Sequence, residues 1–254
     1  MYNRPRIIPV LLIKDRDLVK TINFSSPTYL GDPINAVKIF NIKNVDELCI
    51  LDISENKDSE PDYDLLSKIA NQAFMPLGYG GKIHTVEQAL KILSLGYEKI
   101  IINSCFFDNP DLITEIAKRI GNQSVVVSID VKKEDNSYCI YSKNGKLRQS
   151  VSLEDALKKA EAMGAGEVLL NNITLDGMMT GYDLELVKKA SLCLSIPLIV
   201  CGGACNVDDL KKALDSGAHA VAAGSMFVFY GRLRAVLITF PSEDILFEKK
   251  IYNR

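Results

Sequence analysis

Residues 198–227 read LIVCGGACNVDDLKKALDSGAHAVAAGSMF, and the way short apolar runs, glycines and one helical period alternate there decides the fold. An apolar run from Pro197 to Val200 breaks at Gly202-Gly203. Val207, Leu210, Ala213 and Leu214 then recur at helical spacing as far as Gly217, and a second apolar run ends at Gly224-Ser225. The order is strand, glycine turn, helix, strand, glycine turn. Glycines just past a strand let the backbone approach a ligand closely, and a helix start behind them presents free N–H groups to an anion. The same glycines also serve as plain tight turns, and this stretch alone leaves both readings open.

The pattern extends outward through the chain. Residues 7–13 form a continuous apolar run interrupted by Pro9, as in a strand buried on both faces. A polar loop is expected over 14–31. Asp32-Pro33 opens a helix over 33–43, with Pro33 suited to its first position. Further strands are expected at 48–53, 74–79, 99–103, 124–130 and 167–171, before the two in 198–227. Helices are expected at 62–71, 85–95, 110–120, 152–163 and 182–193. Runs 138–141 and 146–151, joined by Asn144-Gly145, read as a β-hairpin inserted after the fifth strand. From Met226 the chain is less regular and partly helical.

Eight strands alternating with helices imply right-handed crossovers and a parallel sheet that can close into a (βα)8 barrel; an open doubly wound sheet is the alternative. Internal similarity favours the barrel. The segment from Gly78 repeats the one from Cys201 with one gap, setting Gly81 against Gly203 at an offset of 122 residues. Residues 47–53 match 167–173 at 120, and 12–14 match 130–132 at 118. A (βα)4 unit used twice would carry two related phosphate sites at one face, near Gly81 and Asn103-Ser104, and near Gly203 and Gly224-Ser225. A long substrate with a phosphate at each end fits that symmetry.

The chain has 254 residues, 47% of them hydrophobic and 24% charged, with a net charge of −2. Neither nucleic acid nor an anionic membrane surface suits that balance. No apolar run reaches transmembrane length, and Met1-Tyr2-Asn3 is expected to lead straight into the first strand. The six cysteines include no CxxC pair. Cys201 and Cys205 lack partners in a chain with two histidines, so no metal or other cofactor is expected. A soluble, cytoplasmic protein with one domain over 1–254 is the expectation.

Further motifs stand in order along the chain: Arg6-Ile-Ile8, Gly31-Asp-Pro33, Asp46-Glu-Leu48, Leu51-Asp-Ile53, Gly80-Gly81-Lys82-Ile-His84, Val125 to Lys132, Asp176-Gly177, Gly181-Tyr-Asp183 and Gly202-Gly-Ala204. Through them the chain resembles, over nearly its whole length, the HisF family, the cyclase subunits of imidazole glycerol phosphate synthase. The resemblance implies a (βα)8 barrel in a heterodimer with a HisH-type glutaminase. Ammonia would enter the barrel bottom and react at the top with a doubly phosphorylated ribonucleotide. It also implies an ammonia gate of Arg6, Glu47, Lys99 and Glu167, with Glu98 and Asp46 facing the partner. The phosphate cradle would comprise Lys20, Gly81, Asn103, Ser104, Asp176, Gly177, Gly203, Ala204, Gly224 and Ser225. Lys82 stands where the family has glycine, and would add a cation to the cradle or crowd it.

At the reactive centre the chain departs from the family. Of two catalytic aspartates, Asp130 matches one and Leu12 occupies the place of the other. Leucine cannot exchange a proton, and a missing general acid/base costs about 10²–10⁴ in rate. Asp15 and Asp17, the next loop carboxylates, lie beyond the strand and are poorly placed to substitute. Gly78, Asn171 and Cys201 replace small hydroxyl residues. Three readings follow. The chain is a paralogue delivering ammonia to another acceptor, as in HisF/HisH-like pairs supplying a sugar amidotransferase for amidino sugars of surface polysaccharides; or a true cyclase subunit; or a non-catalytic scaffold that activates a glutaminase.

Overall fold

The computed structural model describes residues 4–55, 60–135 and 137–252; Met1-Tyr2-Asn3, whose entry into the first strand was expected, lies outside them. Eight parallel strands follow one another around a ring: β1 (Arg6–Lys14), β2 (Leu48–Asp52), β3 (Leu77–Gly80), β4 (Lys99–Ile102), β5 (Val125–Glu134), β6 (Glu167–Asn172), β7 (Leu198–Cys201) and β8 (Ala220–Ala223). β8 pairs with β1 and closes the ring, so the fold is a (βα)8, or TIM, barrel. The outer helices are α1 (Pro33–Ile42), α2 (Tyr63–Ala70), α3 (Val86–Ser94), α4 (Asp111–Ile120), α5 (Leu153–Ala162), α6 (Leu184–Ser191), α7 (Val207–Asp215) and α8 (Glu243–Glu248). No helix among the described residues is long and apolar enough to cross a membrane.

Local chemistry sets the helix starts. Asp32 accepts from the N–H groups of Ile34 and Asn35 with Pro33 in the first turn, and Thr85 and Gln88 form a capping box. Such caps are worth about 1 kcal/mol each. The strands read as unbroken apolar runs because both faces are covered. Ile7, Leu11, Leu48, Ile50, Leu77 and Ile100 pack outward against the helices. Ile8, Val10, Leu12, Cys49, Ile101, Val126, Leu169 and Ile199 fill the lumen as a second, separate cluster.

Three expectations need correction. Residues 14–31 are no loop: Asp17–Ile22 and Ser25–Gly31 form a hairpin that extends β1, with Leu12 beside Val19. Its turns are built on Asp15-Arg16 and Asn23-Phe24, all at positive φ. That conformation normally advertises itself with glycine, which is absent here. The expected hairpin after β5 is present, with Ser137–Ser142 pairing both β5 and the short strand Leu147–Arg148. The two hairpins occupy equivalent places in the repeat. The third strand begins at Leu77, and Phe74, expected inside it, is 92% exposed.

Hydrogen-bond register also shifts the repeat by one residue. Leu51 lies beside Gly80, and Asn171, its counterpart, beside Cys201. Gly81 therefore corresponds to Gly202 and Lys82 to Gly203, an offset of 121, which the N-caps Thr85 and Asn206 share. Matching glycine to glycine had introduced a gap that the backbone does not contain. The Leu12–Asp130 correspondence stands: Leu12 neighbours Leu51 and Val19 as Asp130 neighbours Asn171 and Tyr141.

Candidate active site

At the bottom of the barrel the first residues of β1, β4 and β6 and the residue before β2 converge into a ring of alternating charge. Arg6 donates to Glu47 at 2.6 Å and to Glu167 at 2.7 Å, and Lys99 Nζ lies 2.9 Å from each of the same two carboxylates. Each acid touches both bases, so the desolvation cost of burying four charges is offset inside the ring. Burial works against the Arg6 charge, yet Glu47 and Glu167 outweigh it and raise its pKa. Asp46, expected to face a partner, is engaged within the chain: it accepts from the Ile7 N–H and the Tyr252 hydroxyl and pairs with Arg4 at 3.2 Å. Glu98 is exposed.

At the opposite end, beyond the apolar lumen, a cavity of about 260 Å³ opens where the strands finish. Asp130 sits in its floor, 7% exposed. Asn103 Nδ2 donates to Asp130 Oδ2 at 3.1 Å and to the Ser128 carbonyl at 3.0 Å. Burial pushes the Asp130 carboxyl up to about 7, the charge of Asp176 adds to the rise, and the Asn103 hydrogen bond opposes it. Asp130 makes no ion pair among the described residues, unlike Asp52, Asp108 and Asp176 in the same cavity. Leu12 occupies the equivalent place across the repeat, and with Val10, Leu51 and Ile101 it makes that wall apolar. Asp15 and Asp17 do not replace it: both are exposed at the turn into the first hairpin and neither lines the cavity. Cys201 lines the cavity as a buried thiol whose pKa burial raises to about 12, while Cys205 is exposed.

The residues expected to form the cradle divide into two groups. Lys20, Gly81, Lys82, Asn103, Ser104, Asp176 and Gly224 line the cavity. Gly177, Gly203, Ala204 and Ser225 are set back behind its wall, where close packing explains the glycines. A Cβ on Gly203 would lie 2.1 Å from the Gly181 carbonyl oxygen, and one on Gly177 2.5 Å from that of Thr21. Lys20, expected as a mobile cation, is buried in an ion pair with Asp176 at 2.9 Å. Lys82 adopts φ +56, the left-handed conformation that its counterpart Gly203 also needs, and pairs with Asp52 at 3.2 Å. It therefore neutralises a carboxylate at the cavity edge. Asp52 and Thr21, which line the cavity, were not foreseen, nor was Arg234, which stands outside its lining beside Ser225. Asp52 had a signal, an acid at the C-terminal end of a strand, whereas Arg234 arrives from the irregular tail.

Residues 6–234 match the family model described as histidine biosynthesis protein. A Leptospira interrogans protein provisionally named imidazole glycerol phosphate synthase subunit HisF is 49% identical over 245 residues, spanning 95% of this chain and 96% of its own. One from Vibrio vulnificus (strain YJ016), provisionally named subunit hisF3 of the same synthase, is 48% identical over 97% of this chain and 95% of its own. The imidazole glycerol phosphate synthase subunit HisF of Campylobacter concisus (strain 13826) is 40% identical over 88% and 89%. With the closed barrel, these matches place the chain in the histidine biosynthesis protein family, as a HisF-like member.

Proposed function

We propose that the chain is the ammonia-receiving barrel subunit of a cytoplasmic glutamine amidotransferase. It docks a HisH-type glutaminase at the barrel bottom, passes ammonia through the Arg6–Glu47–Lys99–Glu167 ring, and delivers it to a phosphorylated acceptor at the top. The acceptor is not the nucleotide cyclised in histidine synthesis but one leading to an amidino sugar of a surface polysaccharide, made with a sugar amidotransferase. One contrast carries this reading: the bottom ring is complete, whereas at the top Asp130 faces Leu12 instead of a second carboxylate. Cleavage of the nucleotide and closure of the imidazole need two positioned proton carriers, while delivery of ammonia needs one or none. The whole chain, 1–254, acts as one domain in this reading and needs no metal or cofactor.

A second reading, retained cyclase activity, draws on Asp52, a carboxylate at the end of β2 next to β1. Its pairing with Lys82 argues against a free acid there.

Reconstitution with a HisH-type glutaminase separates these readings. Stimulated glutamine hydrolysis without imidazole product, from the histidine-pathway nucleotide with either glutamine or ammonium salts, is the expected result. Imidazole product from ammonium salts would establish the cyclase. Absence of glutaminase stimulation with every HisH-type partner tried would overturn the pairing.

A further inference from the structure

The two halves of the barrel top are related in backbone but not in charge. Asn103 and Gly224 hold nearly the same conformation, φ −113, ψ −83 and φ −102, ψ −73, and each precedes a serine. In the first half, Ser104 Oγ accepts from the Lys143 backbone N–H at 3.1 Å, and the Lys143 ammonium is paired with Asp108 at 3.3 Å. In the second half a side chain takes that place. Arg234 donates through Nη2 to Ser225 Oγ at 3.4 Å and through Nη1 to the Gly177 carbonyl at 2.9 Å. Its guanidinium lies 4.6 Å from the centre of the Phe229 ring. Among the described residues, no carboxylate stands within ion-pair distance of Arg234. The neighbouring cation, Lys20, is already neutralised by Asp176.

We infer that Arg234, which stands outside the cavity lining beside Gly177 and Ser225, is a specificity-determining anion ligand for a phosphate group of an acceptor that reaches past Gly224. The inference rests on the reading of a phosphorylated acceptor above. A guanidinium offers five N–H donors in a planar fork, of which two are occupied here, so a fork remains for a phosphate. Arg234 bridges the loop after β6 and the second residue after β8, so an anion bound there draws the two loops together. The backbone supports the posting: Arg234 sits at φ +50 in a tight turn whose N–H bonds the Gly231 carbonyl at 3.1 Å. A side chain held in so sparsely populated a conformation is fixed by its surroundings. The first half, where Lys143 and Lys82 are both paired with acids, lacks such a cation beside its serine. The acceptor is thus held asymmetrically, with an arginine cation at one end alone.

The test is calorimetric titration of the full chain with inorganic phosphate and with ribose 5-phosphate. Arg234→Gln keeps donors for Gly177 and Ser225 but removes the charge, and should weaken binding at the affected site about tenfold or more, the scale of a charge-assisted hydrogen bond. Arg234→Lys should recover part of that loss, and Lys143→Ala should change affinity less than about threefold. As a second measurement, phosphate should slow labelling of Arg234 by phenylglyoxal, read by peptide mass spectrometry. Unchanged affinity in Arg234→Gln, equal losses in Arg234→Gln and Lys143→Ala, or no phosphate binding by the wild-type chain would each overturn the inference. Because no glutaminase is present, its failure is distinguishable from failure of the amidotransferase reading.

Discussion

At the residue scale, chemistry turns on Asp130 and Leu12. The Asp130 carboxyl, ordinarily near 3.8, titrates near 7 because its charge is buried. Between those values the folded chain holds a proton that the unfolded chain has released. Stability therefore falls as pH rises from about 4 to about 7 and levels above that, by up to a few kcal/mol. Asp130→Asn should flatten this part of the curve and melt higher than wild type at pH 8, as followed by circular dichroism across pH. Leu12→Asp is the converse change. It should cost about 1–3 kcal/mol in urea unfolding, because a carboxyl enters an apolar wall. If the rest of the centre is intact, it should also confer imidazole formation from ammonium salts, where wild type forms none. That the leucine replaces an acid was legible in Val10-Leu-Leu-Ile-Lys14; that Asp130 is left without a cation was not, because the lysines nearby are claimed by other acids.

Among the elements, the glycine turns behave unequally although they share a spelling. Gly203 lies at φ +111 with the Gly181 carbonyl in the space a Cβ would take. Gly203→Ala should therefore destabilise the chain by about 2 kcal/mol or more. Its counterpart Lys82 already carries a Cβ at positive φ, and Lys82→Gly should leave thermal stability within about 1 kcal/mol, relief of the left-handed conformation offsetting loss of the Asp52 ion pair. The hairpin over 17–31 shows what local sequence conceals. Leu18, Val19, Lys20 and Thr21 are all buried, and the burial of two polar residues depends on Asp176, more than 150 residues away.

On the scale of the whole molecule, the charged ring joins four strands that are distant in sequence at the barrel bottom. Glu47→Ala leaves Arg6 and Lys99 to share Glu167, and should lower stability by about 2–4 kcal/mol. In the complex with a glutaminase it should also change the ratio of ammonia released to glutamine hydrolysed. An unchanged ratio would make the ring a structural network rather than a gate.

Strand and helix order, the duplication and part of the barrel-top lining were readable from sequence, because period, glycine placement and strand ends are local properties. The four members of the charged ring were readable through family resemblance, each at or just before the start of its strand. Only the tertiary structure decided the one-residue register of the repeat, the pairing of Lys82 with Asp52 and Lys20 with Asp176, and the arrival of Arg234 beside Ser225. Those outcomes depend on which charges meet across the closed barrel, and a linear pattern does not encode distance between residues far apart in the chain.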